Sequence, residues 1–345
     1  MNIVLTGGGS AGHVMPNLAL LPHLTDKFDK IFYIGSENGC EKRLAESKGI
    51  TFRSVPTVKL DRTKKLANLK IPFTLYSGIS EAKKLLRDLH ADIVFAKGGY
   101  VSLPAAFAAR SLNIPVICHE SDYSLGLANR LISGFAVRTL TSFESTKAKN
   151  AEFTGNPVRL DLLTANAQNA KRECAFLRDK KTVLFVGGSG GAAAVNSAVR
   201  ASLSSLTPDL NVIHIAGAGN KYEPELGYRS FEFVDNVFDY YAYADVVVSR
   251  AGANCASELA AMGKRVIFIP LPKGASRGDQ LQNADFYAKR GCARVLEQDR
   301  LCAYELVCAI TDMLSRPSPD PDPIPLGAGA KIADILYSAA NAAKA

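Results

Sequence analysis

No apolar run in this sequence approaches the roughly 18 residues that a membrane-spanning helix requires. The longest, such as Val101 to Ala109 and Val183 to Val186, are far shorter, so no spanning helix is expected. The opening MNIVLTGGG has no basic n-region and no small-residue cleavage site, which reads as a cytosolic chain. Its seven cysteines (Cys40, Cys118, Cys174, Cys255, Cys292, Cys302, Cys308) are odd in number and include no C-x-x-C pair. That spacing excludes a zinc site and predicts reduced, mostly buried thiols. Charged residues are 21% against 47% hydrophobic, which excludes global disorder.

What is present is enough chain for two cores. At 345 residues the sequence exceeds the size at which one core stops growing, and two domains of about 150 to 180 residues are expected. The net charge is +8 and unevenly placed. Between Lys59 and His90 lie eight bases (Lys59, Arg62, Lys64, Lys65, Lys70, Lys83, Lys84, Arg87) and three acids (Asp61, Glu81, Asp88). Such a segment suits nucleic acid, an anionic membrane surface or a solvated face.

Short β-rich runs alternate with helical spacing. Residues 2 to 6 lead into Gly7-Gly8-Gly9-Ser10-Ala11-Gly12-His13 and then a helical stretch from Val14 to Leu24. Strands are expected at 30–34, 92–96, 115–118 and 137–140, with helices at 79–89 and 105–112. The pattern restarts at Thr182 to Val186, which runs into Gly187-Gly188-Ser189-Gly190-Gly191-Ala192 and a helix from Ala193 to Leu206. Further strands are expected at 211–215, 231–233, 246–249 and 265–269. This is α/β architecture: two Rossmann-like doubly wound domains, each opening on a glycine-rich strand-to-helix turn. Gly, Asn and Pro at 153–158 mark the boundary, giving an N-terminal domain over 1–155 and a C-terminal domain over 156–325. Arg316 to Pro325 holds five prolines and reads as an extended connector, before a last helix within 326–345 that would pack back on the first domain.

The first turn fits G-x-G-x-x-G as Gly7, Gly9 and Gly12, but a dinucleotide site needs an acid at the end of the second strand. Here Phe32-Tyr33-Ile34 ends in Gly35-Ser36, with Glu37 beyond it. The other use of such turns is to present backbone N–H groups to phosphates, and two turns suggest two phosphate-bearing ligands. His13 follows the first turn and is a candidate general base or ligand contact. His119-Glu120-Ser121-Asp122 and Gly98-Gly99-Tyr100 each follow a strand, where open α/β sheets bind ligands. In the second half, Ser249 to Asn254 leads into a helix carrying Glu258, and a Gly/Pro loop precedes Asp279-Gln280 and Asn283. Such polar side chains suit sugar hydroxyls.

The blocks GGGSAGHVMPNLAL, YIGSENGCEKRL, KGGYVSLPAA, HESDYSLGLANR, TGNPVR, VGGSGGAAAVN, SRAGANCASELAA and RGDQLQNA resemble, in order, those of the MurG family of bacterial peptidoglycan glycosyltransferases. The resemblance covers residues 1 to about 295 and is weak beyond. It implies a GT-B fold with its two domains facing a cleft, the first holding a lipid-linked acceptor and the second UDP-N-acetylglucosamine (UDP-GlcNAc). It implies that Arg159, Ser189, Gly191, Ala253 and Asn254 lie near the UDP pyrophosphate and Glu258 at the ribose. It further implies that Asp279, Gln280 and Asp122 meet the GlcNAc hydroxyls, and that Ser10 and Gly12 complete the donor contacts. Gly8, Gly9, Ser10 and Tyr100 match acceptor-side positions, with His13 as base and Glu120 as the second candidate.

Ser10 stands where many members carry Thr, Gly190 where many carry Gln, and Asp122 where many carry Asn. The implied reaction is inverting GlcNAc transfer to the C4 hydroxyl of N-acetylmuramic acid in undecaprenyl-linked lipid I, with no metal and no cofactor. It gives the basic segment from Lys59 to Arg87 a role on the anionic inner leaflet, at the cytoplasmic face of the bacterial membrane. Leu66, Leu69, Ile71, Phe73, Leu75 and Tyr76 interleave with the bases there. No nucleic-acid motif accompanies the charge. A relative that transfers a different sugar to another lipid or small molecule, a UDP-GlcNAc 2-epimerase and a non-catalytic sugar-nucleotide sensor remain as alternatives on the same fold.

Overall fold

The computed structural model describes every residue except 61–64, 189, 275–276 and 345, and every side chain of the rest except those of 65–67. Chain contacts divide it into two compact units, residues 1–159 with 324–345, and residues 160–323.

The first unit is built on seven parallel strands: β1 (Asn2–Thr6), β2 (Lys30–Gly35), β3 (Thr51–Ser54), β4 (Ile93–Ala96), β5 (Val116–Glu120), β6 (Arg138–Thr141) and β7 (Ala151–Phe153). Their order is β3-β2-β1-β4-β5-β6-β7. Both faces of the central strands are covered, so β4, the middle of β1 and the first half of β5 are continuous apolar runs instead of alternating with polar residues. The period of two still sorts side chains between the faces. Ile3 and Leu5 of β1 pack with Leu18, Leu24, Phe95 and Ile117, while Val4 packs with Val94, Ala105 and Ala109 on the other side.

The second unit carries six parallel strands: β8 (Thr182–Val186), β9 (Asn211–Ile215), β10 (Tyr228–Phe231), β11 (Val246–Ser249), β12 (Arg265–Phe268) and β13 (Ala293–Val295), in the order β10-β9-β8-β11-β12-β13. Strand order reverses direction between β1 and β4 in one sheet and between β8 and β11 in the other. Loops beyond the carboxyl ends of such strands are where open α/β sheets bind ligands. The two glycine turns follow β1 and β8, one strand of each switch pair.

Several elements depart from the sequence expectation. The helix expected at 79–89 runs over Ile71–Asp88, because Pro72 sits in its first turn, where no N–H is needed. Gly78 inside it permits close packing: a Cβ there would lie 2.2 Å from the Pro56 carbonyl. The strand expected at 231–233 is β10, displaced toward Tyr228. The last helix begins at Pro323, inside the proline-rich connector, since Pro323 and Pro325 also fit a first helical turn. Its residues Ile332, Ala333, Leu336 and Ala340 join the core formed by Ile3, Leu5 and Phe95 in the first unit.

Candidate active site

In the first unit, β1 ends in a turn whose backbone only glycine tolerates. Gly9 has φ +79°, and a Cβ there would meet the Tyr100 ring at 2.6 Å. Gly99, in the loop after β4, has φ +75°, and its Cβ would lie 2.3 Å from the Gly8 carbonyl and 3.3 Å from His13 Nδ1. The two loops at the switch point are therefore in contact, and they gather Gly8, Gly9, His13 and Tyr100. Ser10 precedes the helix Ala11–Ala19. Its Oγ lies 3.0 Å from His13 Nδ1, so the hydroxyl orients the imidazole. Gly12 lies in the first turn of the same helix and is exposed.

A carboxylate not singled out by sequence underlies this turn. Glu41 is fully buried and accepts from the N–H groups of Gly9 (3.4 Å) and Ser36 (3.1 Å) and from the Ser36 hydroxyl. Its position within the block YIGSENGCEKRL was the available signal; nothing in composition or spacing marked it. Burial, and then the charges of Glu41 and Cys40, raise the Tyr100 phenol above its ordinary value, so it stays protonated and acts as a hydrogen-bond donor at neutral pH.

Glu120 ends β5 and is 5% exposed. One carboxylate oxygen accepts from the Asp122 N–H (3.0 Å); the other accepts from the Gly126 N–H (2.8 Å) and the Asn129 side chain (3.0 Å). These bonds shape the loop that carries Ser121 and Asp122. His119 is fully buried, and burial, then the Lys97 charge, holds its pKa well below the ordinary value. The neutral ring lies with Nε2 3.0 Å from the Gly155 carbonyl. Arg159 is the last residue before the chain enters the second unit.

In the second unit the loops after β8, β11 and β12 carry the remaining candidates. Gly188 (φ +84°) and Gly191 (φ +74°) shape the turn after β8, and the Gly191 N–H donates to the Gly188 carbonyl at 2.9 Å. A Cβ on Gly191 would lie 2.5 Å from the Ala216 carbonyl. Ser189 lies outside the described residues. After β11, Gly252 caps the helix Ala253–Ala261, whose first turn holds Ala253 and Asn254, with Glu258 one turn further and buried. After β12, Asp279 Oδ1 accepts from the Arg277 N–H (3.1 Å) and Gln280 Oε1 from the Leu271 N–H (3.1 Å) at the head of the helix Asp279–Lys289. Asn283, fully buried, donates to the Ala251 carbonyl at 3.1 Å and ties that helix to the loop after β11.

Each unit thus presents small-residue turns after its switch strands with polar side chains in the neighbouring loops, an arrangement suited to phosphates and sugar hydroxyls. Among the described residues no group of three or more His, Cys, Asp or Glu is placed to hold a metal ion.

Comparison with known proteins agrees with this geometry. Residues 3–141 match the glycosyltransferase family 28 N-terminal domain and residues 182–323 the family 28 C-terminal domain. A Lachnospira eligens protein named UDP-N-acetylglucosamine--N-acetylmuramyl-(pentapeptide) pyrophosphoryl-undecaprenol N-acetylglucosamine transferase is 43% identical over 317 residues, 89% of each chain. Among solved structures, Acinetobacter baumannii MurG has a TM-score of 0.76 at 24% identity, covering 98% of this chain and 99% of that one. A Neisseria meningitidis UDP-GlcNAc 2-epimerase shares the fold, with a TM-score of 0.67 at 14% identity, covering 98% of this chain and 100% of that one. The chain belongs to glycosyltransferase family 28, among its MurG-type transferases.

Proposed function

We propose that this chain transfers GlcNAc from UDP-GlcNAc to the C4 hydroxyl of N-acetylmuramic acid in undecaprenyl-pyrophosphoryl-MurNAc-pentapeptide, with inversion. The observation that carries the reading is the 43% identity over nearly the whole chain to a protein named for that transfer. The C4 oxygen forms a bond to C1 of GlcNAc while the bond from C1 to the diphosphate oxygen breaks and its electron pair leaves with UDP. The hydroxyl proton passes to the His13 imidazole, which Ser10 orients through Nδ1. Glu120 is read as the residue that shapes the 121–126 loop, since both its oxygens are already engaged.

The leaving diphosphate is assigned to the Ser189 turn, Gly191, the N-terminal turn at Ala253 and Asn254, and Arg159, where backbone dipoles and a guanidinium stabilise developing charge. Glu258 is assigned to the ribose, and Asp279, Gln280 and Asp122 to the sugar. Ser10 and Gly12 are kept on the donor side, and Gly8, Gly9, Ser10 and Tyr100 receive the acceptor. No metal or cofactor enters this scheme.

Label transfer from radiolabelled UDP-GlcNAc to a lipid I analogue tests the reading. A β-linked product that forms only with acceptor is expected. Conversion of UDP-GlcNAc without acceptor would replace the reading with epimerisation, and binding without turnover would replace it with a sensor.

The acceptor's lipid sets the proposed location, the cytoplasmic face of the membrane, reached peripherally. No helix among the described residues is long and apolar enough to cross a bilayer. Leu69, Phe73 and Tyr76 are 70%, 79% and 77% exposed. Helical spacing puts Phe73 and Tyr76 on one face with Lys84 and Arg87, both exposed, while Lys59 and Lys70 are exposed nearby. Aromatic and basic groups on one face suit the interface of an anionic leaflet. Arg62, Lys64 and the side chains of Lys65 and Leu66 lie outside the described residues. Replacing Phe73 and Tyr76 together with serine is expected to lower binding to phosphatidylglycerol vesicles by roughly tenfold or more, from the area withdrawn from the interface. Flotation measures it; turnover of a short-chain soluble acceptor should be unchanged.

A further inference from the structure

Glu41 is a fully buried carboxylate that the transfer scheme does not use. It lies in the first turn of the helix Cys40–Glu46, and its partners are donors. Oε1 accepts from the Ser36 N–H at 3.1 Å and from the Ser36 hydroxyl. Oε2 accepts from the Gly9 N–H at 3.4 Å, with the Cys40 thiol 3.9 Å away. A carboxylate out of water persists only where donors hold it. Here one oxygen goes to the residue after β2 and the other to the turn after β1, and those two strands are paired neighbours in the sheet.

Three glycines make room for this group. A Cβ on Gly8 would lie 2.5 Å from Glu41 Cδ and one on Gly35 2.7 Å from its Cγ, while one on Gly39 would overlap the carboxylate. None of the three has a positive φ, so space, and not backbone conformation, requires glycine there. The opposite side of the turn meets the loop after β4: a Cβ on Gly9 would strike the Tyr100 ring, and the Gly8 carbonyl faces Gly99. Gly8 and Gly9 are thus held between the carboxylate on one side and the 98–100 loop on the other.

We infer that Glu41 is a positioning residue for the acceptor: through Oε2 it seats Gly8 and Gly9 against the 98–100 loop, so that the turn and the Tyr100 phenol receive the acceptor in one geometry. Being buried, it does not touch substrate itself. The inference rests on the acceptor assignment proposed above.

Two variants divide the carboxylate's contacts. Glu41→Gln keeps the shape but replaces one oxygen with an NH2 donor. Ser36 offers two donors to a single oxygen, so the amide keeps its oxygen there and sets its NH2 against the Gly9 N–H, breaking the contact with the turn. Ser36→Ala does the reverse, removing a hydroxyl and leaving the Gly9 bond in place. Steady-state kinetics with the lipid I analogue, titration with UDP and thermal melting are read for both. Glu41→Gln is expected to lower kcat/KM for the acceptor by roughly tenfold or more, the cost of a misplaced substrate contact. Its affinity for UDP should stay within about threefold of the wild type. Ser36→Ala should stay within about threefold on both counts, although it too removes a hydrogen bond to the buried carboxylate. A merely structural carboxylate would make the kinetic losses of the two variants follow their losses in melting temperature. That outcome, or a Glu41→Gln variant with wild-type acceptor kinetics, overturns the inference.

Should Glu41→Gln fail to fold, Gly39→Ala decides. Gly39 has φ −84° and ψ 157°, which alanine adopts without strain, so the substitution acts through the Cβ that enters the carboxylate's place. The same loss in acceptor kcat/KM with the same unchanged UDP affinity is expected, and acceptor kinetics like those of the wild type overturn the inference. A wild-type chain that transfers nothing to the analogue refutes the proposed function and takes this inference with it, an outcome read before any variant.

Discussion

His13→Ala is expected to lower kcat for transfer to the lipid I analogue by roughly 10²- to 10⁴-fold, the range a positioned general base contributes. The attacking C4 hydroxyl is a poor nucleophile while it keeps its proton, and His13 is the imidazole that the two contacting loops of the first unit hold. Ser10 fixes its Nδ1 at 3.0 Å, and Gly99 approaches it so closely that a Cβ would stand 3.3 Å from the ring. Donor affinity should change by less than about threefold, because uniform binding and chemistry separate in such variants. Isothermal titration with UDP, together with steady-state kinetics, measures both. A variant that keeps more than roughly a tenth of wild-type kcat would remove His13 from the base role. Glu120 is a weak replacement, since freeing its carboxylate means breaking three hydrogen bonds that hold the 121–126 loop.

Strand positions were legible because a parallel sheet buried on both faces reads as short, dense apolar runs. β1, β8, β9 and β11 fall where their β-rich segments stand, and the helix Ala193–Leu206 coincides with its periodic stretch. β3, β7 and β13 were not expected. Each is short, only half-buried along much of its length, and at or next to an edge of its sheet, so its sequence carries polar residues such as Arg53, Glu152 and Arg294. Helix starts were missed where proline opens them, at Pro72 and Pro323, because proline reads as a breaker although a first turn accommodates it.

For the candidate site, the glycine turns and the polar residues after strand ends were visible as local patterns. What escaped was the support beneath them. Glu41 is 32 residues from Gly9 and Lys97 is more than 20 from His119 and Ser121, and a lone Glu in a helix or a lone Lys before two glycines has the pattern of a solvated surface. Only tertiary structure shows that both are buried and satisfied by loop N–H groups or neighbouring side chains.

Ending the chain at Asp322 is expected to unfold the first unit and leave the second folded. The argument is one of magnitudes. The helix Pro323–Ala342 supplies Ile332, Ala333, Leu336 and Ala340, all fully buried, to the face of the sheet formed by Ile3, Leu5 and Phe95. Truncating one such Leu or Ile to Ala costs about 2–5 kcal/mol, whereas a whole domain has only about 5–15 kcal/mol in hand. Losing the helix removes two such side chains outright and bares the apolar face beneath them. The ion pairs of the lost segment add little: Lys27 with Asp334 on the helix at 2.7 Å and Asp92 with Lys344 just beyond it at 2.9 Å are partly solvent-exposed, and such pairs contribute about 0–1 kcal/mol. They set the helix's place more than its stability. Limited proteolysis should then digest residues 1–159 of the shortened chain while a fragment covering 160–322 persists. In a full-length Leu336→Asp variant the same segment should become protease-sensitive, because a carboxylate would be buried without a partner. A shortened chain whose first unit resists protease as the wild type does would show that the sheet face closes without the helix.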